Sequence, residues 1–230
     1  MSRLAIIPAR GGSKRIPRKN IRNFLGRPIL AYSIEAALSS GLFEEVMVST
    51  DDEEIAQVAR ERGASVPFLR GTEASTDFAT TAQVLEEVLS KYKERGKSFH
   101  EACCLYPTAP FITGDTLRKG YSMLTEDGFD TVFPVLRYSY PIWRSLKVEH
   151  GKAVLNWPEH LNSRSQDLPA AFHDAGQFYW FRVDRFLESK RLFTPNSGVV
   201  ELSELEAQDI DSETDWKLAE LKFKLLHNVD

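Results

Sequence analysis

Short β-rich runs alternate with amphipathic helical patterns along almost the whole chain, and this alternation constrains the fold more than any other feature. Strands are predicted at Leu4–Ala9, Glu45–Thr50, Ser65–Leu69, Ala102–Tyr106, Thr131–Val135, Gln177–Phe181 and Val199–Leu202. Helices are predicted between Pro28 and Gly41 and at Glu53–Arg62, Thr80–Arg95, Thr116–Glu126 and Glu213–Leu226. The pattern predicts a three-layer α/β fold, with a mainly parallel twisted sheet and helices on both of its faces.

Length and composition limit the number of domains, the location and the partners that this protein can have. The 230 residues, 42% of them hydrophobic, are enough for one sizeable core, so we expect residues 1–230 to form a single domain. No window approaches the roughly 18 apolar residues of a membrane span, and the apolar start is too short for a signal peptide, which predicts a cytoplasmic protein without a membrane partner. A formal charge of −4 argues against general nucleic-acid binding.

The only two cysteines, Cys103 and Cys104, are adjacent in a predicted strand. Neighbouring side chains in a strand point to opposite faces of the sheet, which disfavours a bond between the two sulfurs. We therefore expect two thiols in the core rather than a disulfide or a redox pair.

Residues 137–175 depart from the alternation. Aromatic side chains stand there among prolines, glycines and charges without a sustained helical period: Tyr138, Tyr140, Trp143, Trp157 and Phe172. Val148–Val154 is typical of a hairpin that turns at Gly151. We expect an inserted arm whose aromatic residues bury against a second subunit, which predicts a homodimer; an arm folded back on its own domain is the alternative.

The first predicted strand leads into a glycine-rich and strongly basic loop. Residues 10–22 contain no Asp or Glu and carry the cations Arg10, Lys14, Arg15, Arg18, Lys19 and Arg22. Such a run can be a solvated face, but Gly11 and Gly12 let the backbone approach an anion closely, at the sheet edge where α/β folds bind ligands. The loop has neither the P-loop ending nor the dinucleotide-binding spacing. It predicts a nucleoside triphosphate site of another kind.

Asp209-Ile210-Asp211 is the second informative motif. In an extended segment residues two apart project to the same face, so both carboxylates can meet one Mg²⁺ ion while Ile210 turns into the core. Alone, the pair could be solvated or helix-capping acids. Together with the basic loop it predicts a metal-assisted phosphoryl or nucleotidyl transfer. Ser212 is predicted to cap the last helix, and Asp51-Asp52 to form a turn and a helix cap.

Five blocks in order carry a resemblance to a known family: Ile7–Asn20, Val48–Asp52, Thr76–Thr80, Leu105–Pro110 and Asp209–Asp211. They resemble the CMP-sialic acid synthetases, cytidylyltransferases with a nucleotide-diphospho-sugar transferase-like fold that activate nine-carbon acidic sugars. Arg15, Arg18, the Tyr106 block and Arg164–Trp180 look like the branch of this family that uses pseudaminic acid.

The resemblance implies transfer of CMP from CTP to the anomeric hydroxyl of pseudaminic acid, with release of pyrophosphate. It implies that CTP is bound by Ala9, Arg10, Gly11, Ser13, Lys14, Lys19, Asn20, Arg70, Asp77 and Thr80. It implies catalytic roles for Arg10, Lys14, Lys19 and Asp211, a Mg²⁺ cofactor on Asp209 and Asp211, and a sugar site formed by Tyr106, Arg164, Gln166 and His173.

Several alternatives stay open from the sequence. The sugar could be legionaminic acid, N-acetylneuraminic acid or the eight-carbon acid Kdo, since the same cytidylyl chemistry serves all of them. The chain could also be a CTP-binding regulator without turnover, although the retained lysines and acidic pair argue against that. A nucleic-acid-binding module is disfavoured by the negative net charge.

Overall fold

The computed structural model of the protein describes residues 2–71 and 79–228. Its strands are β1 (Arg3–Pro8), β2 (Asn23–Phe24), β3 (Arg27–Pro28), β4 (Glu45–Ser49), β5 (Glu101–Leu105), β6 (Thr131–Arg137), β7 (Leu146–Glu149), β8 (Lys152–Leu155), β9 (Phe172–Asp174), β10 (Phe178–Arg182) and β11 (Ser197–Leu202). Its α-helices are α1 (Ile29–Ser40), α2 (Glu53–Glu61), α3 (Thr81–Glu94), α4 (Gly114–Glu126), α5 (Val183–Ser189) and α6 (Glu213–His227).

The main sheet has the strand order β11-β6-β10-β5-β1-β4, and β9 adds a short pairing to β6. β1 runs parallel to β4 and β5, and β11 runs parallel to β6. β10 is antiparallel to both β5 and β6. The predicted mainly parallel sheet is confirmed, and the two strands that depart from it are β10 and the short β9, which is antiparallel to β6.

Helices cover both faces of the sheet, because alternate residues of each central strand face opposite layers. In β1, Ala5 and Ile7 pack with apolar residues of α1, α2 and α4, whereas Leu4 and Ile6 pack with those of α3 and α5. Cys103 and Cys104 divide in the same way, and both are buried thiols. The three-layer arrangement and the expectation of two core thiols are therefore confirmed.

A third apolar cluster lies beside the basic loop, where α6 packs on the β2–β3 hairpin. Phe24 lies at its centre, with its ring 5.6 Å from that of Trp216 and 5.4 Å from that of Tyr32. Ile16 from the loop and Ile210 from the acidic motif are buried in the same cluster. The basic loop near the start of the chain and the acidic motif near its end therefore pack on the same apolar cluster.

The structure differs from the sequence prediction in several short elements. Ser65–Leu69 is not a strand: only Ser65 bridges to Met47, because Pro67 offers no backbone N–H for a ladder. The short helix α5 and the strands β2, β3 and β9 were not predicted. All four are too short for a periodic pattern to identify; α5, for example, buries only Val183 and Phe186.

The arm at residues 137–175 packs on itself around Trp143. The Trp143 ring lies 5.4 Å from that of Trp157, and its indole N–H donates to the carbonyl of Pro169 at 2.9 Å. The predicted hairpin is confirmed as β7 and β8, with His150 and Gly151 both at positive φ in the turn. Within residues 2–71 and 79–228, no helix is long and apolar enough to cross a membrane.

Candidate active site

A cleft of about 480 Å³ opens where the basic loop, the end of β5 and the acidic motif meet. Its lining residues are Pro8, Arg10, Ser13, Lys14, Arg15, Ile16, Lys19, Asn20, Tyr106, Pro107, Thr108, Asp209 and Asp211. The two motifs that the sequence singled out thus share one cleft, although they lie near opposite ends of the chain. The cleft is at the carboxyl edge of the parallel strands, the expected place for a ligand in such a sheet.

The basic loop is held against the start of α2 by two acidic residues. The backbone N–H of Gly11 donates to the Asp51 carboxylate at 3.0 Å, and the Arg18 guanidinium binds the Asp52 carboxylate. A Cβ atom on Gly11 would lie only 2.7 Å from Asp52 Oδ2, so the loop can approach this closely only with glycine there. Asp52 also caps α2 by accepting from the N–H of Ile55, which confirms its predicted role.

The acidic motif is fixed through its middle residue, as predicted. Ile210 is fully buried in the cluster around Phe24, while its carbonyl accepts from Lys19 Nζ at 2.6 Å. The carboxylate of Asp215 accepts from the backbone N–H of Asp211 at 3.1 Å, and Ser212 caps α6. The packing, the lysine and the helix cap together hold the carboxylates at the cleft wall.

Two charged side chains in the cleft, Asp209 and Lys19, have shifted pKa values. Burial raises the pKa of Asp209, and the neighbouring Asp211 charge raises it further while Lys19 opposes the change. Burial lowers the pKa of Lys19, against the stabilising charges of Asp211 and Asp209. The lining carries Arg10, Lys14, Arg15 and Lys19 against only two carboxylates, so its excess positive charge suits a polyphosphate.

The donor set fits a hard cation that arrives with phosphate. Among the residues that the structure describes, no group of three or more His, Cys, Asp or Glu side chains could hold a metal by protein ligands alone. Asp209 and Asp211 supply two carboxylates on one wall of the cleft. Mg²⁺ typically takes one or two carboxylates and completes its shell with water and substrate phosphate oxygens.

The remaining nucleotide candidates lie around the same edge. Ala9 is buried at the end of β1, and the Asn20 amide donates to the carbonyl of Arg10 at 2.8 Å, which braces the loop. Arg70 is buried and donates to Ser49; burial lowers its pKa, which the Asp51 charge opposes. Thr80 caps α3. Asp77 lies outside the described residues.

The four sugar candidates do not converge in the described chain. Tyr106 lines the cleft, with its ring 5.4 Å from that of Tyr179. The other three candidates lie on the arm and away from the cleft lining: Arg164, Gln166 and His173. Arg164 pairs with Asp167 at 2.6 Å, and the His173 ring packs against Tyr138.

Two residues of the site received no individual role from the sequence. Asp51 holds the loop through Gly11, and Arg15 lines the cleft with its guanidinium 2.8 Å from Asp211 Oδ1. The sequence showed Arg15 as one cation among six and as a feature of one branch of the family, but a charge run does not show which carboxylate each cation reaches.

Known proteins are similar to this chain over almost its whole length. A family model described as cytidylyltransferase matches residues 4–207. A pseudaminic acid cytidylyltransferase of Campylobacter jejuni is 42% identical over 228 residues, which are 99% of this chain and 98% of the relative. A CMP-N,N'-diacetyllegionaminic acid synthase of Legionella pneumophila is 33% identical over 224 residues, 96% of each chain.

The fold also matches a solved structure. A CMP:2-keto-3-deoxy-manno-octonic acid synthetase complexed with CTP has a TM-score of 0.71, with 100% of both chains covered. Because the sequences are only 18% identical, this likeness shows the shared fold alone.

Proposed function

The chain belongs to the cytidylyltransferase family, and from this premise we propose that it transfers CMP from CTP to the anomeric hydroxyl of pseudaminic acid. The anomeric hydroxyl gives its proton to solvent, and its oxygen forms a bond to the α-phosphorus. The bond from that phosphorus to the bridging oxygen breaks, and pyrophosphate leaves with that oxygen. The observation that carries the proposal is the convergence of the basic loop and the acidic motif in one cleft.

The cations of the loop would bind the triphosphate. Arg10, Ser13, Lys14 and Lys19 all line the cleft, and the Lys19 ammonium lies 3.7 Å from Asp211 Oδ1. Lys19 would lie nearest the α-phosphate, because its ammonium is held between the Ile210 carbonyl and Asp211. Fixed cations of this kind stabilise negative charge as it develops on the leaving phosphates. Positioning and charge neutralisation would thus supply most of the rate.

Asp209 and Asp211 would hold Mg²⁺, which when bound would neutralise phosphate charge and help to orient the triphosphate. Their placement by Ile210, Lys19 and Asp215 supports this assignment, since the carboxylates need no rearrangement of the backbone to face the cleft. The fit of the donor set to a cation shared with substrate phosphate is a second support.

Pseudaminic acid is favoured over other acidic sugars by the relative that is 42% identical over almost the full chain, against 33% for the legionaminic acid relative. Tyr106 would form one wall of the sugar site. Arg164, Gln166 and His173 stay candidates from the arm, which would reach a cleft of the partner in the proposed homodimer. Legionaminic acid is the second candidate substrate.

The test is pyrophosphate release by the purified protein with CTP, Mg²⁺ and a panel of acidic nine-carbon sugars. We expect the highest kcat/KM with pseudaminic acid and no release without a sugar or after removal of Mg²⁺. Asp211→Asn is the matched variant, nearly equal in shape but without the charge, and we expect a loss of about 100-fold or more in kcat with an unchanged circular dichroism spectrum. Release with none of the sugars would reject the proposed reaction.

A further inference from the structure

Arg15 differs from the other arginines that follow Lys14 in the basic loop. Arg18 binds Asp52 and Glu54, and Arg22 binds Glu213 and packs on Trp216, so both are engaged outside the cleft lining. The Arg15 guanidinium instead lies 2.8 Å from Asp211 Oδ1, on the acidic pair itself. Its carboxylate partner is one of the two that the proposed function assigns to the metal.

Arg15 and Lys19 approach Asp211 in different ways. The Lys19 side chain is only 19% exposed and is also bound to the Ile210 carbonyl, which fixes its position. The Arg15 side chain is 72% exposed, and an exposed ion pair is weak enough to be exchanged for another anion. Of these two cations, Arg15 is therefore the one that can leave without disturbing packed structure.

Two cations lie at the acidic pair: the Arg15 guanidinium is 2.8 Å from Asp211 Oδ1, and the Lys19 ammonium is 3.7 Å from the same atom. They offset part of the negative charge of Asp209, Asp211 and the neighbouring Asp215. A divalent cation added beside a guanidinium would meet strong repulsion at this short range. A triphosphate brings several negative charges into the same cleft and offers the guanidinium a new bidentate partner.

We propose that Arg15 is an exchangeable counter-cation, which neutralises Asp211 before the substrate binds and transfers to the nucleotide phosphates as the metal takes its place. The proposal rests on the proposed function, because it assumes that Asp211 receives the metal. Its consequence is positive coupling between the two ligands: CTP tightens metal binding, and by linkage the metal tightens CTP binding by the same factor.

The experiment measures Mn²⁺ binding by electron paramagnetic resonance, with and without CTP and in the absence of sugar, so that no turnover occurs. Arg15→Gln removes the guanidinium, Arg15→Lys keeps the charge, and Arg22→Gln removes one positive charge from the same basic run without touching Asp211. The Arg15 side chain is 72% exposed and the Arg22 side chain is 35% exposed, and circular dichroism verifies that the three variants are folded.

For Arg15→Gln we expect Mn²⁺ without CTP to bind about two- to fivefold more tightly, the range typical of releasing one exposed ion pair. The factor by which CTP tightens Mn²⁺ should fall by a similar amount. Arg15→Lys should lie between this variant and the wild type, and Arg22→Gln should match the wild type.

An unchanged Mn²⁺ affinity in Arg15→Gln would overturn the inference while leaving the metal assignment intact. An equal rise in Arg22→Gln would also overturn it, since the effect would then be one of net charge rather than of the contact with Asp211. If wild-type protein binds no Mn²⁺ even with CTP, the metal assignment itself fails, and the inference fails with it.

Discussion

At the scale of single residues, the two adjacent glycines of the basic loop have different surroundings. A Cβ atom on Gly11 would meet the Asp52 side chain at 2.7 Å, whereas one on Gly12 would meet nothing within 4 Å. The close approach of Gly11 also lets its N–H donate to Asp51. Packing thus requires glycine at position 11, whereas position 12 has room for a Cβ atom.

This difference gives a paired prediction. Gly11→Ala should push the loop away from Asp51 and Asp52 and raise the KM for CTP about tenfold, because a misplaced loop loses phosphate contacts worth about 1.4 kcal/mol. Gly12→Ala should change the KM by less than about threefold. Steady-state kinetics with CTP as the varied substrate measure both, and equal effects of the two substitutions would contradict the packing argument.

The partner of a charged side chain cannot be predicted from its neighbours in the sequence. All arginines of the basic run carry the same charge, yet three of them have three different sets of partners: Asp211 for Arg15, Asp52 and Glu54 for Arg18, and Glu213 for Arg22. Arginines with the same chemistry thus have different roles, because the folded backbone directs their side chains to different carboxylates.

At the scale of elements, α2 and the basic loop share one anchor. Asp52 begins α2 by accepting from the N–H of Ile55, and the same carboxylate binds Arg18, which lies in a left-handed backbone conformation at the start of a short 3₁₀ helix. The hydrogen bond from Arg18 is the main reason that the pKa of Asp52 lies below its usual value of 3.8. Asp52 therefore both caps α2 and holds the basic loop of the site in place.

The lowered pKa predicts how stability depends on pH. Because folding favours the ionised carboxylate, the contribution of Asp52 is complete above the unfolded pKa of 3.8 and is lost as the pH falls through the lower folded value. Asp52→Asn keeps a good helix cap but loses the charge, so near pH 7 it should lower the free energy of unfolding by about 1 kcal/mol or less, as for an exposed pair.

Urea denaturation at a series of pH values between 7 and 3 measures this effect. The difference between wild type and Asp52→Asn should shrink below pH 3.8. Asp52→Ala removes the cap as well and should cost about 1 kcal/mol more at every pH. A difference between wild type and Asp52→Asn that does not change with pH would show that the ion pair with Arg18 is not its cause.

At the scale of the whole molecule, the arm leaves an apolar surface uncovered. Directly paired residues of an antiparallel hairpin share a face, so Leu146 and Leu155 lie on the same side as Val148 and Ala153. Leu146 is 58% exposed and Val148 is 75% exposed. The opposite face carries the Lys147–Glu149 ion pair and Val154. The hairpin is therefore apolar on one side only.

We expect this apolar face to form part of the interface of a homodimer. Leu146→Lys combined with Val148→Lys should convert a dimer into a monomer, because burying either lysine against a partner would cost more than the contact stabilises. Val154→Lys, on the other face, is the control and should leave the dimer unchanged. Light scattering after size-exclusion chromatography measures the mass, and a wild-type monomer, or a dimer in the double variant, would contradict the prediction.

The sequence by itself determined the layers and the two motifs of the site. Strand and helix periods are local, so alternation along the chain was enough to predict the three layers. The capping residues Asp52 and Ser212 were predictable because each caps a backbone N–H within three residues. The buried position of Ile210 followed from the two-residue period of an extended segment.

Only the tertiary structure decided the direction of β10 and the pairing of distant residues. The arm leaves β6 at the carboxyl edge of the sheet and returns there, so β10 must start from that edge and run antiparallel, which no periodic pattern in its own residues encodes. Lys19 and Ile210 are 191 positions apart, and their contact exists because Ile16, Phe24 and Trp216 pack together and bring both ends of the chain to one cleft. Nearby residues determine secondary structure, whereas contacts between distant residues form only when the whole core is packed.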